Sequence, residues 1–100
     1  MPDRRAVWKI NLPDPGDLNH AALPGRWKVV AAGVQDGLHV AWVEVEPGEP
    51  LVERPVHVVG TGWPIPEDMY GGDVRLEHRA TYQWGVFVWH VYEGVVAAPW

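Results

Sequence analysis

The stretch Gly60-Thr61-Gly62-Trp63-Pro64-Ile65-Pro66 carries the residues best suited to chemistry. Glycine-rich backbone can present several N–H groups to a phosphate, and a threonine hydroxyl can add another donor. Arg54, Arg75 or Arg79 could supply the cation for such an anion, and Trp63 a face on which a base could stack. Gly60, Thr61, Gly62, Trp63, Arg54, Arg75 and Arg79 are therefore the candidate ligand-binding set. A phosphate cradle normally runs into a helix N-terminus with a basic residue close by. Here a tryptophan and two prolines follow instead. The preferred reading is a bend at a sheet edge, permitted by Gly60 and Gly62 and stiffened by Pro64 and Pro66.

Other reactive groups are sparse. Histidines stand at 20, 39, 57, 78 and 90, with no His-x-His pair of the kind that would place two ligands on one strand face. His39 and His57 are the pair that neighbouring strands could bring together, but a lone strand histidine is more often a hydrogen-bonding group than a ligand. Glu44, Glu46 and Glu49 read as a solvated strand end and turn, and Glu67 and Asp68 as acids suited to a helix N-terminus. No carboxylate pair has catalytic spacing. Cysteine and serine are both absent, which excludes disulfides, thiolate metal sites and Cys or Ser nucleophiles. The sequence predicts no enzyme activity, no metal and no cofactor.

The net charge of −5, with six Arg and two Lys scattered along the chain, provides no basic track for a long nucleic acid. A small nucleotide, which needs only one or two arginines, stays open. No apolar run has the length of a membrane span or the pattern of a signal peptide, so no membrane partner and a cytoplasmic location are expected.

The positioning elements follow from periodicity. The 100 residues suit one domain, 1–100. Valine and seven tryptophans favour strands, while 11 Gly and 10 Pro punctuate them. Strands are predicted at about 6–12, 18–23, 26–35, 38–46, 54–60, 72–83 and 86–93, with helix limited to a turn near 66–70. The expected fold is all-β, a small antiparallel sandwich or partly open barrel of six or seven strands.

Asp36-Gly37 predicts a type I′ hairpin, pairing Gln35 with Leu38, Val34 with His39, Gly33 with Val40, Ala32 with Ala41, Ala31 with Trp42 and Val30 with Val43. Trp84-Gly85 predicts a second hairpin, pairing Tyr82 with Phe87, Ala80 with Trp89, His78 with Val91 and Leu76 with Glu93. In that reading Asp73, Arg75, Glu77, Arg79, Thr81 and Gln83 share the wet face. Strands 38–46 and 86–93 are apolar on both faces, so either both are central in a sandwich or one face is covered by another subunit; the preferred expectation is a homo-oligomer. Trp8, Trp42 and Trp89 are expected in the core. Trp63, Trp84 and Trp100 fall in turns or near the chain end, where core packing and a binding role are both open.

The segments LPGRWKVVAAGVQDGLHVAWVEVE, RPVHVVGTGWPIP and VFVWHVYE resemble a family of small proteins of tailed bacteriophages and prophages, a domain of unknown function. The resemblance covers about residues 6–93. It rests on Gly33 and Gln35, Trp42, Gly60 to Gly62, and Trp89 with His90. The family often has His where this chain has Trp63, and is usually shorter over 71–85. The resemblance implies a phage context, with a location in the host cytoplasm or in the virion, and no established activity. The leading expectation is a non-enzymatic accessory protein that binds a host target, with a host protein or a small nucleotide as the partner. The alternatives are an anti-defence sponge for a nucleotide immune signal and a structural virion component, a decoration or tail protein.

Overall fold

Val-rich segments broken by Gly and Pro turns form seven strands in the computed structural model, which describes residues 4–96. They are β1 (Ala6–Asn11), β2 (His20–Pro24), β3 (Lys28–Gln35), β4 (Leu38–Val45), β5 (Leu51–Gly60), β6 (Val74–Trp84) and β7 (Phe87–Val96). A single turn of 3₁₀ helix, Glu67–Tyr70, joins β5 to β6, where the sequence predicts one. One sheet has the order β1-β4-β3 and the other β2-β5-β7-β6, with every neighbouring pair antiparallel. The two sheets pack as a sandwich and do not close into a barrel. Between them lie Val29, Ala41, Val43 and Val45 of the first sheet and Val56, Val58, Tyr82 and Val91 of the second.

The first hairpin is of type I′: Asp36 and Gly37 both have positive φ, 52° and 78°. Its predicted register holds from Gln35↔Leu38 to Ala31↔Trp42. Beyond that a bulge at Val30 shifts the ladder, and Val29 instead of Val30 faces Val43.

The second hairpin turns one residue later than predicted. Gly85 (φ 61°) and Val86 form the turn, so Trp84 faces Phe87 and Tyr82 faces Trp89. Gly takes the first turn position, where a positive φ excludes Trp. A bulge between His78 and Ala80 then inverts the alternation of β6. Glu77 faces Glu93 on the sandwich side, and Leu76 turns to the opposite face, where Glu67 of the 3₁₀ turn accepts its N–H at 3.1 Å. Arg79 leaves the predicted wet face for the interior.

The second apolar face of β4 is closed at its centre and open at its start, where Leu38 is 57% exposed. Val40 is 1% exposed. Lys9 reaches from β1 across β4 to the Gln35 Oε1 on β3, 2.6 Å away. On the outer face of β5, His57 is buried and shares a 2.5 Å hydrogen bond with the Tyr70 hydroxyl. Glu46, predicted as solvated, is also buried. It accepts the Arg26 N–H at 2.5 Å and packs where a side chain at Gly25 would stand.

The centre of the interior is charged. Glu93 on β7 has no exposed surface, and its carboxylate accepts from the Val29 N–H at 2.8 Å, Arg54 Nη1 at 3.0 Å and Arg79 Nε at 3.4 Å. Arg79 also pairs with Glu77 at 3.3 Å, and Glu77 with Arg75 at 2.6 Å. Arg54 lies 4.2 Å over the Trp27 ring and donates to the Trp27 carbonyl. Burial lowers the Arg54 pKa and Glu93 opposes that shift, so the guanidinium stays a cation.

Removing one partner of a buried ion cluster strands the other charges. Glu93→Gln should destabilise the fold by roughly 3–5 kcal/mol in urea unfolding. Glu77→Gln, at the solvated end of the cluster, should shift the midpoint far less. Equal effects would contradict a central role for Glu93.

Burial holds the His57 imidazole below its usual pKa, and the Asp17 carboxylate opposes the shift weakly. The folded state therefore carries neutral His57, and its contribution is full above the unfolded pKa of about 6.5. That contribution falls as pH drops from there towards the folded pKa, because the unfolded chain binds the proton first. Urea midpoints at about pH 7.5 and 5 should differ less for His57→Gln than for the wild type.

Candidate binding site

Gly60 ends β5 directly opposite Trp89 of β7, on the sandwich face. A Cβ there would lie 3.0 Å from Trp63 Cε2 and 3.2 Å from Trp89 Cζ3. A side chain there would press on both rings, and the chain folds Trp63 back onto the Trp89 ring, edge to face at 5.8 Å. The turn closes with the Trp63 N–H donating to the Gly60 carbonyl at 3.1 Å. Gly62 has φ 90°, as the third position of a type II turn demands. The Thr61 hydroxyl shares a 2.8 Å hydrogen bond with His90 Nε2, whose Nδ1 is 2.9 Å from the Thr81 hydroxyl. Thr81 in turn meets His78 Nε2 at 2.8 Å. The stretch is thus built as a bend, and its hydroxyl is used on the outer face of the sheet.

Trp89 begins a row of rings. Phe87 stacks on it at 5.6 Å and Trp84 on Phe87 at 6.5 Å, with planes inclined by 22° and 21°. Trp84 meets His39 edge to face at 5.1 Å, and His39 Nδ1 lies 2.7 Å from the Tyr82 hydroxyl. Burial pushes the Tyr82 phenol up to about 12, so it stays protonated beside His39. By strand register, Tyr82, Trp84, Phe87 and Trp89 share the sandwich face. Exposure rises along it from 7% at Tyr82 to 47% at Trp84 and 52% at Phe87. The hydrophobic core runs out to solvent at this end of the molecule.

Two clefts flank the row, with Trp89 lining both. One, of about 540 Å³, lies between Leu12, Pro13, Pro15 and the side chains of Leu38, His39 and Trp84. The other, of about 450 Å³, is bordered by Gly60, Thr61, Trp63 and Phe87. Among the described residues that line them, Asp14 is the one carboxylate and none is Lys or Arg. The Trp89 indole N–H is buried and finds no acceptor among the described residues.

The sequence-predicted set therefore divides in two. Gly60, Thr61, Gly62 and Trp63 meet at the aromatic end. Arg54, Arg75 and Arg79 join one chain of ion pairs through Glu77 and Glu93. Arg54 stands six residues before Gly60 on β5, roughly 20 Å along the strand. His39 and His57 do not converge: each pairs with its own tyrosine. Trp8, expected in the core, is 42% exposed, whereas Trp27 is the fully buried indole. Trp100 lies outside the described residues. Phe87 and Trp89 were legible as strand residues, but their part in an exposed row depends on the one-residue shift of the hairpin turn.

Fold and site together define a two-sheet β-sandwich whose core opens at one end onto an aromatic surface. A family model described as a domain of unknown function, DUF7352, matches residues 3–99, and the chain belongs to that family. Searches of curated proteins and of solved structures return no match.

Side-chain volume and the hydroxyl separate cleanly at the bend. Thr61→Val should lower stability by no more than about 1 kcal/mol, the value of one solvated hydrogen bond. Gly60→Val should lower it by about 1–3 kcal/mol and change the near-UV circular dichroism as Trp63 is displaced. An unchanged spectrum in Gly60→Val would contradict the packing of Trp63 on Gly60.

Proposed function

We propose that this protein is a non-enzymatic accessory protein of a tailed bacteriophage or prophage. It acts in the host cytoplasm as a homo-oligomer and binds a host protein through its aromatic end. The phage context rests on the resemblance of the segments quoted above. The binding reading rests on one observation, the row Trp84–Phe87–Trp89 held in register by strand pairing with Trp63 packed at its end, in which Trp84, Phe87 and Trp63 are half-exposed. Such rings present large contact area with little conformational freedom left to lose, and aromatic residues dominate the energetics of protein interfaces.

Charge favours a protein over a nucleotide. Among the described residues the clefts hold Asp14 and no Lys or Arg, and a phosphate needs the reverse. The arginines that a nucleotide sponge would use are already engaged by Glu77 and Glu93.

The test is recovery of a defined protein from host extract on immobilised wild type and on Trp84→Ala and Phe87→Ala variants. Each truncation should weaken retention by roughly 30-fold, the effect of an interface anchor near 2 kcal/mol. Undiminished recovery by the double variant would overturn the aromatic end as the binding surface. A nucleotide released from the purified protein, or the protein found in washed virions, would overturn the host-protein reading in favour of the sponge or the virion component.

A further inference from the structure

The free edges of the two sheets are closed in different ways. β3 and β6 lie against each other, the Val29 N–H of β3 is taken by Glu93, and β6 carries a bulge. β2 ends in Pro24. Among the described residues, β1 has neither proline nor bulge, and no strand pairs with it except β4. An unguarded edge of this kind is a template for another strand.

The hydrogen-bond pattern shows which groups are free. The Leu12 N–H donates to the His39 carbonyl at 2.9 Å, one step beyond the Asn11↔Val40 pair. Bonded and non-bonded pairs alternate along an antiparallel ladder. Ala6, Trp8 and Ile10 therefore bond to β4, while Val7, Lys9 and Asn11 direct their N–H and C=O groups outward. Lys9, whose charge could blunt the edge, is drawn across β4 to Gln35. Trp8 shares the sandwich face with fully buried Val43 and is nevertheless 42% exposed.

We propose that β1 pairs antiparallel with β1 of a second copy of this chain, about a two-fold axis at Trp8. The two three-stranded sheets become one continuous sheet. In this register Val7 bonds opposite the partner's Lys9, and Lys9 opposite the partner's Val7. Ala6 faces the partner's Ile10, small against large. Trp8 meets the partner's Trp8 at a non-bonded position, where the strands approach most closely and aromatic pairs contribute most. Arg5 stands opposite the partner's Asn11, so no like charges face each other directly. The charges of β1 make no call for an acidic strand from another protein: Arg5 is paired with Glu44 at 3.3 Å and Lys9 is bonded to Gln35. A two-fold strand pair is isologous and closes on itself. The inference rests on the homo-oligomer part of the proposed function and leaves the aromatic end free for a partner.

Sedimentation velocity of the wild type should show a dimer at about 50 µM. Val7→Pro removes an outward N–H and leaves the β4 ladder intact, as proline on an edge strand does. It should keep the far-UV spectrum and sediment as a monomer. Because the chain has no cysteine, Trp8→Cys places one thiol on the axis, within cross-strand disulfide reach. Mild oxidation should link two copies through it, and not through Val52→Cys on β5. A dimer unaffected by Val7→Pro and not linked through Trp8→Cys would overturn β1 as the interface while preserving the oligomer. A wild-type monomer at that concentration would overturn both. Should Val7→Pro fail to fold, the cross-link decides alone.

Discussion

Glu93 sits without exposed surface between two apolar sheets, and a carboxylate in that place must find donors or the sandwich does not close. Its donors come from three other strands: the Val29 N–H on β3, Arg54 on β5 and Arg79 on β6. Both irregularities of the fold adjoin them. The bulge at Val30 follows the residue whose N–H turns to Glu93, and the bulge between His78 and Ala80 turns Arg79 inward. Arg54, held from below by Glu93, places its guanidinium on Trp27, whose indole N–H is satisfied by the Val52 carbonyl at 2.8 Å. One charge thereby fixes the register of β6 and joins the sheets. The Trp27 stretch before β3 is anchored through the same contacts.

This arrangement separates the two ends of the molecule by their chemistry. Where Glu93 lies, the cations that could attract an anionic ligand are committed to ion pairs. Away from it the same β6–β7 pairing continues, without charge, into Tyr82, Trp89, Trp84 and Phe87. Among the described residues, nothing covers the last rings of the core there. Gly60 leaves the space in which Trp63 closes one side, and Leu12 to Pro15 border the other. The exposed aromatic surface at this end follows from where the core stops.

The strand count, the antiparallel pairing and the first hairpin were legible because Asp36-Gly37 admits one turn type and period-2 alternation fixes which residues face inward. The second hairpin was misplaced by one residue because Trp84-Gly85 and Gly85-Val86 are both plausible two-residue turns by composition. Only the positive φ at the first position separates them. The alternation of β6 looked solvated because a bulge leaves no mark in the pattern of Arg75, Glu77 and Arg79. The interior role of Glu93 was hidden for the same reason: a lone acid in VFVWHVYE gives no sign of the arginines that arrive from β5 and β6. The Gly-Thr-Gly bend was readable from its prolines and missing helix. Its service to Trp63 and Trp89 needed the sheet register.

The central claim is that the aromatic end, and not the arginine cluster, is the recognition surface. Indole N–H resonances of ¹⁵N-labelled protein report both places at once, since Trp63, Trp84 and Trp89 mark the first and Trp27 the second. On titration with the host protein recovered by the wild type, the resonances of Trp63, Trp84 and Trp89 should shift or broaden while that of Trp27 stays fixed. Movement of the Trp27 indole and the Arg54 side-chain signals, with the aromatic row unchanged, would contradict the account.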